Sequence, residues 1–426
     1  MDLTPILFTR TGTNAPAMLY PFHKTGALQL LQGGRDFFPA LIQALDSART
    51  WVQLETYIFD FHGAGAEVAE ALVRAADRGV TVQVLVDGIG TNPLPPQWAE
   101  RFDQSKVDWC VYSPLGTGLR GLGLLVPERW RRLHRKLCVI DQHTVFCGGI
   151  NVLDDFYDPN HGELEAPRVD FAVSATGLLA AEAADAMALL WWRVQAGYSA
   201  RQRHINAAWE KFKAAGYGGR SRAAFPAEGN GTAVAGPRAA LILRDNLRHR
   251  SSIERAYRKA IGKAHHEIII ANAYFLPGGK LRRALIAAAR RGVRVTLLLQ
   301  GRYEYFMQYH AARPVYGALL EAGVEIHEYK AGFLHAKVAV VDGHWATVGS
   351  SNLDPLSLLL AREANVVVED KDFAEGLAAI LREAMVKQGR RMEPAAHGNR
   401  PLGQRLRDWV AYALVRLALL VAGQRY

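Results

Sequence analysis

The chain contains itself twice. Residues 132–141 read RLHRKLCVID and residues 333–342 read FLHAKVAVVD, so histidine, lysine and aspartate recur at the same offsets. The flanks recur with them. WVQLETYIFD (51–60) matches EIIIANAYFL (267–276), and AEALVRAADRGVTVQVLVDG (69–88) matches RRALIAAARRGVRVTLLLQG (282–301). VDWCVY (107–112) matches VEIHEY (324–329), and TVFCGGIN (144–151) matches ATVGSSN (346–352). A repeat of roughly 150–180 residues is far longer than a solenoid unit, so whole domains are duplicated. A chain of 426 residues holds two such units with short extensions.

Within each unit, short β-branched runs alternate with helical stretches. In the first, Trp51–Phe59 is predicted as a strand, Ala66–Asp77 as an amphipathic helix and Val80–Val86 as the next strand. Arg78-Gly79 supplies the helix stop. This order predicts an α/β fold: two similar α/β/α sandwich domains, each with a largely parallel or mixed sheet. Residues 197–240 break the rhythm, and GYGGRSRAAFPAEGNGTAVAGPRAA reads as a linker. The expected division is an N-terminal extension 1–24, a first domain 25–200, a linker 201–240, a second domain 241–390 and a tail 391–426.

On a strand, alternate residues share a face. His134 therefore projects with Lys136, and His335 with Lys337. A neutral imidazole beside a fixed ammonium suits phosphate: the lysine holds the anion while the histidine attacks or moves a proton. Asp141 and Asp342 complete the repeated motif on the opposite parity, so they are expected to anchor the strand end. Asn151 and Asn352 follow their histidines by 17 positions, in GGIN and GSSN, where small residues let donors approach phosphoryl oxygens. Asp170 in VDFAV and Glu363 in EANVVV open apolar strands. A carboxylate that takes the second ring N–H of a histidine fixes its tautomer and raises its basicity. Spacing leaves open which acid serves which histidine.

The formal net charge of +10 favours anionic partners, either nucleic acid or an acidic membrane surface. Cys110, Cys138 and Cys147 fit no zinc spacing and read as reduced core residues. The N-terminal stretch shows no signal-peptide pattern, and no run reaches about 18 uninterrupted apolar residues. GTGLRG (116–121) satisfies a dinucleotide-binding glycine pattern, but Pro127 and the missing helical period behind it argue against that use. The stretch LRGLGLLVPERWRRLHRK, apolar and then basic, reads either as a segment dipping into a bilayer interface or as an ordinary solvated loop. RLRDWVAYALVRLALLVAGQRY (405–426) reads as a helix lying in the membrane interface, with Trp409 and Tyr412 at head-group depth and Arg405, Arg407 and Arg416 near the phosphates, in preference to one packed on its own domain or on a partner chain.

The duplicated H-x-K-x4-D motif, with GGIN and GSSN, resembles the phospholipase D superfamily. IIANAYFLPG (269–278), HWATVGSSNLDPLSLLL (344–360) and RDNLRHRSSIERAY (244–257) are similar to bacterial cardiolipin synthases of the type B branch. The resemblance covers about residues 25–390, without the two leading membrane helices of some cardiolipin synthases. It implies two phospholipase D-like domains with one active site at their interface, each motif supplying half. It implies that one phosphatidylglycerol gives its phosphatidyl group to another through a covalent phosphohistidine, yielding cardiolipin and glycerol. By the same resemblance His134 is the nucleophile and His335 the acid/base, and Lys136, Lys337, Asn151 and Asn352 hold the equatorial oxygens. Asp170 and Glu363 orient the histidines. No metal or nucleotide cofactor is implied. The expected partners are phosphatidylglycerol, other phospholipids and an anionic membrane surface, with the enzyme peripheral on a bacterial inner membrane and nucleic acid not expected. The alternative is a hydrolytic phospholipase D or a nuclease of the same superfamily. A non-catalytic membrane scaffold is disfavoured by the four intact His/Lys positions.

Overall fold

The computed structural model describes residues 20–113, 131–159, 161–201, 236–245, 250–302, 306–354 and 361–421. After a short strand β1 (His23–Lys24), the first half opens with β2 (Leu28–Gln32), α1 (Gly33–Ser47), β3 (Trp51–Thr56) and α2 (Ala64–Asp77). It continues through β4 (Thr81–Asp87), α3 (Pro96–Ser105), β5 (Asp108–Tyr112), β6 (Arg132–Leu133), β7 (Leu137–Ile140) and β8 (Thr144–Gly148). A small hairpin, β9 (Tyr157–Asp158) with β10 (Gly162–Glu163), precedes β11 (Phe171–Thr176) and α4 (Leu178–Arg201). The second half runs β12 (Arg238–Arg244), α5 (Ser252–Lys263), β13 (Glu267–Asn272), α6 (Gly279–Arg290), β14 (Arg294–Gln300), α7 (Phe306–Glu321) and β15 (Glu325–Tyr329). Then come β16 (Lys337–Val341), β17 (Trp345–Gly349), β18 (Ala361–Glu369), α8 (Lys371–Gln388), β19 (Gly389–Arg391), α9 (Pro394–Gly398) and α10 (Leu402–Val421).

The expected α/β duplication holds strand for strand. The first sheet is ordered β2-β11-β8-β7-β3-β4-β5, and the second repeats it as β12-β18-β17-β16-β13-β14-β15, with β1 and β19 added at its edges. In both, the three strands linked by helices are parallel and the hairpin strands are antiparallel, as connection length requires. The predicted helix stop is also duplicated. Gly79 and Gly292 both sit at φ +89°, Val80 N donates to Ala75 O, and Val293 N donates to Ala288 O. That six-to-one bond satisfies the last helical carbonyls and turns the chain straight into the next strand.

The ordered elements overrun the sequence-based borders. Strand β1 lies within the expected extension yet pairs with β12, and β12 itself begins at Arg238, inside the expected linker. Of the linker proper, residues 202–235 lie outside the described residues.

The two sheets pack face to face, β8 and β11 of the first against β17 and β18 of the second. Val145, Cys147 and Val173 share one apolar cluster with Val348, Val366 and Val368. Helices α4 and α8 complete this middle layer, burying Ala183 and Met187 from one half and Leu377 and Leu381 from the other. At about 1.5–3 kcal/mol for each large buried side chain, this shared core joins the halves far more firmly than a mobile domain contact would. The three cysteines are buried and free.

Candidate active site

Each histidine motif leaves its own sheet to bond with the other half. Leu133 pairs with Arg362 in a parallel bridge, and His134 N donates to Arg362 O at 3.0 Å. Leu334 pairs with Val169 in the same way, and His335 N donates to Val169 O at 2.8 Å. The motif histidines therefore precede the strands instead of lying on them: β7 starts at Leu137 and β16 at Lys337. The apolar run predicted one continuous strand, but its first residues are drawn off to pair across the interface.

One residue beyond each bridge lies an acid. His134 Nδ1 is 3.1 Å from Glu363 Oε2, and His335 Nδ1 is 2.6 Å from Asp170 Oδ2. The acid of each half thus serves the histidine of the other. With Nδ1–H donating to a carboxylate, the free lone pair lies on Nε2 of both rings. Glu363 also accepts from the Ser350 hydroxyl, so its carboxylate is held from two sides.

The lysines sit deeper than the histidines. Lys136 is 5% exposed and Lys337 fully buried, whereas the two histidine side chains keep 16% and 17% of their surface open. Lys136 Nζ donates to His134 O at 2.8 Å, and Lys337 Nζ donates to His335 O. Lys337 also stands 3.8 Å from Asp170 Oδ2. Two buried lysines beside two histidines concentrate positive charge and donors at one point, which suits an anionic group such as phosphate.

Burial governs the titration of the cluster. It pushes His134 below the ordinary imidazole value against the pull of Glu363. It pushes His335 lower still, helped by Lys337 and Arg168. In the free enzyme both shifts favour the neutral ring, the state a nucleophile or base needs. Desolvation and the neighbouring Lys337 bring Lys136 down to about 7, although Glu363 opposes this. Desolvation raises Asp170 to about 6 despite Lys337.

The remaining sequence candidates divide. Asn151 Oδ1 accepts from Ile58 N at 3.2 Å, leaving its amide N–H groups as donors. Asn352 is 2% exposed at the end of the equivalent turn, where Leu353 N donates to Asn272 Oδ1. Asp141 and Asp342 touch no substrate-facing group. Each occupies the left-handed region, at φ +50° and +51°, in the hairpin turn after its strand. Asp141 accepts from the backbone N–H of Arg49, Thr50 and Trp51; Asp342 accepts from those of His265, His266 and Glu267. They fasten the hairpin to the start of the neighbouring parallel strand. Aspartate suits the place because it tolerates positive φ and offers an acceptor.

Three site residues escape the motif spacing. Tyr57 packs on His134, ring centroids 4.9 Å apart, with Lys136 Nζ 5.4 Å from its centroid. Gly149 is the second: a Cβ there would lie 2.2 Å from Asp170 Oδ1. Ser350 is the third. It occupies the position of Gly149 in the repeat, so aligning GGIN with GSSN holds the signal. Residues 114–130, with the apolar-basic loop and the rejected glycine pattern, lie outside the described residues, as do residues 355–360.

A family model described as cardiolipin synthase, PLD-like domain, matches residues 41–162 and 257–385, once in each half. The chain belongs to the cardiolipin synthase family of phospholipase D-like phosphatidyltransferases. Cardiolipin synthase B of Salmonella typhi is 36% identical over 377 residues, 86% of this chain and 82% of that one. Cardiolipin synthase B of Escherichia coli strain K12 is 37% identical over 361 residues, 82% of this chain and 78% of its own. Among solved structures, phosphatidylserine synthase of Haemophilus influenzae Rd KW20 aligns over 94% of this chain and 96% of its own, with a TM-score of 0.67 and 14% identity. At that identity the likeness establishes the fold, and the family assignment rests on the sequence relatives. As a member of the cardiolipin synthase family the chain is an enzyme of phospholipid phosphatidyl transfer.

Proposed function

We propose that this enzyme makes cardiolipin from two molecules of phosphatidylglycerol, releasing glycerol. The observation that carries the reading is the crossed pair of carboxylate-oriented histidines, His134 with Glu363 and His335 with Asp170, above two buried lysines. His134 Nε2 attacks the phosphorus of the first lipid. In the complex the bound phosphodiester anion favours the protonated form of His335; the bond from phosphorus to the head-group glycerol oxygen breaks, and this imidazolium gives its Nε2 proton to that oxygen. Neutral His335 then takes the proton of a head-group hydroxyl on the second phosphatidylglycerol. The freed oxygen attacks phosphorus and the P–N bond breaks, restoring His134. Lys136, Lys337, Asn151 and Asn352 hold the equatorial oxygens, where charge is shared in such a transfer. One phosphodiester replaces another, so the exchange is close to balanced in free energy and needs no nucleotide. The substrate belongs to a bilayer, and the enzyme works as a peripheral protein on an anionic bacterial inner membrane.

The test is turnover of labelled phosphatidylglycerol in mixed micelles without added metal or nucleotide. Equal yields of cardiolipin and glycerol are expected, both lost in His134→Ala and in His335→Ala. Quenching in alkaline denaturant, which spares a P–N bond, should trap a phosphatidyl adduct on His134, and an adduct on His335 would reverse the two roles. Phosphatidic acid as the sole lipid product would make the enzyme a phospholipase. DNA cleavage without lipid turnover would overturn the reading.

A further inference from the structure

Helix α10 packs on α7 along one side only, burying Ala411 and Val415 in the cluster that holds Ala312, Val315 and Leu319. Its other side carries Leu402, Leu406, Trp409, Val410, Leu414 and Leu417, each 50–80% exposed. Among the described residues only Ile89, Phe156 and Val386 are large apolar side chains exposed to a similar degree, so the exposure is concentrated on this helix. At about 100° per residue the six fall in a stripe about 140° wide. Arg405 and Arg416 border one edge and Arg407 the other. The single acid of the helix, Asp408, is turned inward. Its Oδ1 lies 2.6 Å from His310 Nδ1 and its Oδ2 2.6 Å from Arg400 Nη1. The outward side therefore offers apolar groups rimmed by cations and presents no anion.

We infer that this stripe is a docking surface for an anionic lipid bilayer. The six apolar side chains enter the acyl boundary and the three arginines lie at phosphate depth, with Trp409 near the interface. A second copy of the chain fits the surface poorly. A two-fold contact through the stripe would set arginine against arginine with no acid to pair. The Asp408–His310–Arg400 cluster holds the helix against the catalytic half, so the stripe is oriented before any membrane is met. The inference rests on the proposed function only for the choice of a lipid surface.

Co-sedimentation with vesicles of phosphatidylcholine, with and without phosphatidylserine, tests it. Neither lipid is the proposed substrate, so binding is read without turnover. The full chain should bind the anionic vesicles. The triple variant Leu406→Gln, Trp409→Gln, Leu414→Gln should lose more than tenfold in partitioning, with melting temperature and turnover of a dispersed short-chain phosphatidylglycerol unchanged. Arg405→Gln and Arg407→Gln should each lose about fivefold, on anionic vesicles alone. Brominated lipids should quench the wild type more than Trp409→Phe, which reads the same contact without disturbing the stripe. Undiminished binding and unchanged quenching in these variants would overturn the inference. A dimer in light scattering that the triple variant dissolves would assign the stripe to a second copy. Vesicle binding without lipid turnover would sink the proposed function and leave the docking surface standing.

Discussion

Asp170 and His335 lie 165 residues apart in the chain, and Asp170 Oδ2 stands 2.6 Å from His335 Nδ1. Glu363 and His134 make the reciprocal contact. Neither half can orient its own histidine, so the unit that carries the proposed chemistry is the pair of halves.

Asp170→Asn separates orientation from stability. The amide still fits the space but brings no charge and can present its NH₂ to the ring, favouring the wrong tautomer. We expect kcat to fall about 10²- to 10⁴-fold with little change in KM. Stability should move the other way. Burial raises Asp170 to about 6 in the folded enzyme, so folding binds a proton. The raised group favours the fold below its unfolded value near 4, and that advantage is lost as pH rises through 6. The melting temperature of the variant should therefore gain on the wild type between about pH 4 and 7. A uniform loss at every pH would refute this account.

Asp141→Ala and Asp342→Ala should damage folding and spare chemistry. Each removes the acceptor of three backbone N–H groups and puts alanine at positive φ. A loss of about 2–3 kcal/mol per site is expected in denaturant titration, with kcat per folded molecule unchanged. Backbone hydrogen bonds hold both carboxyl groups below the ordinary aspartate value against partial desolvation. Their stabilisation is present above about pH 4 and fades as pH falls through the lowered folded values. The variants should accordingly show a shallower acid loss of stability than the wild type.

The pH profile should be set by buried groups. Burial leads the depression of His134, the ring that must be neutral to attack, so the acid limb of kcat/KM lies below pH 6.5. Loss of the His335 proton begins the alkaline fall of kcat/KM, and Lys136, brought down to about 7 in the free enzyme, adds a second loss there. A bound phosphodiester anion restores its proton, so the alkaline limb of kcat should lie higher than that of kcat/KM. In Lys136→Arg the second loss, near 7, should vanish from whatever activity remains. Coincident limbs in kcat and kcat/KM would assign the loss to another group.

The repeat is unequal at Gly149 and Ser350. In Gly149→Ala the new Cβ meets Asp170 Oδ1 at 2.2 Å, which must push the carboxylate away from His335. We expect a fall of about 10²-fold in kcat. Ser350→Ala removes one donor to Glu363 but leaves its contact with His134, and should lower kcat about tenfold or less. Equal effects would mean that the two carboxylates are held alike.

Much of the site was legible because it is written twice. The His–Lys spacing, the asparagines 17 positions on and the acids opening later strands are local patterns, and a second copy lifts each above chance. Tyr57 was not legible, because its counterpart in the repeat is Ala273 and nothing local sets an aromatic ring beside His134. The strand assignment around His134 erred for a related reason. Apolar alternation predicts extended chain, but only the partner sheet decides with which strand that chain pairs.

By itself the sequence determined the order of elements in each half, the sheet they build and the residues offered to a phosphate. Periodicity, helix stops and turn residues act over a few positions, and both copies obey them. Tertiary structure alone decided that the acid of one half would reach the histidine of the other. That choice depends on Val145, Cys147 and Val173 meeting Val348, Val366 and Val368 across the middle layer. Apolar faces of this kind are non-directional, so no local pattern records which face each will cover.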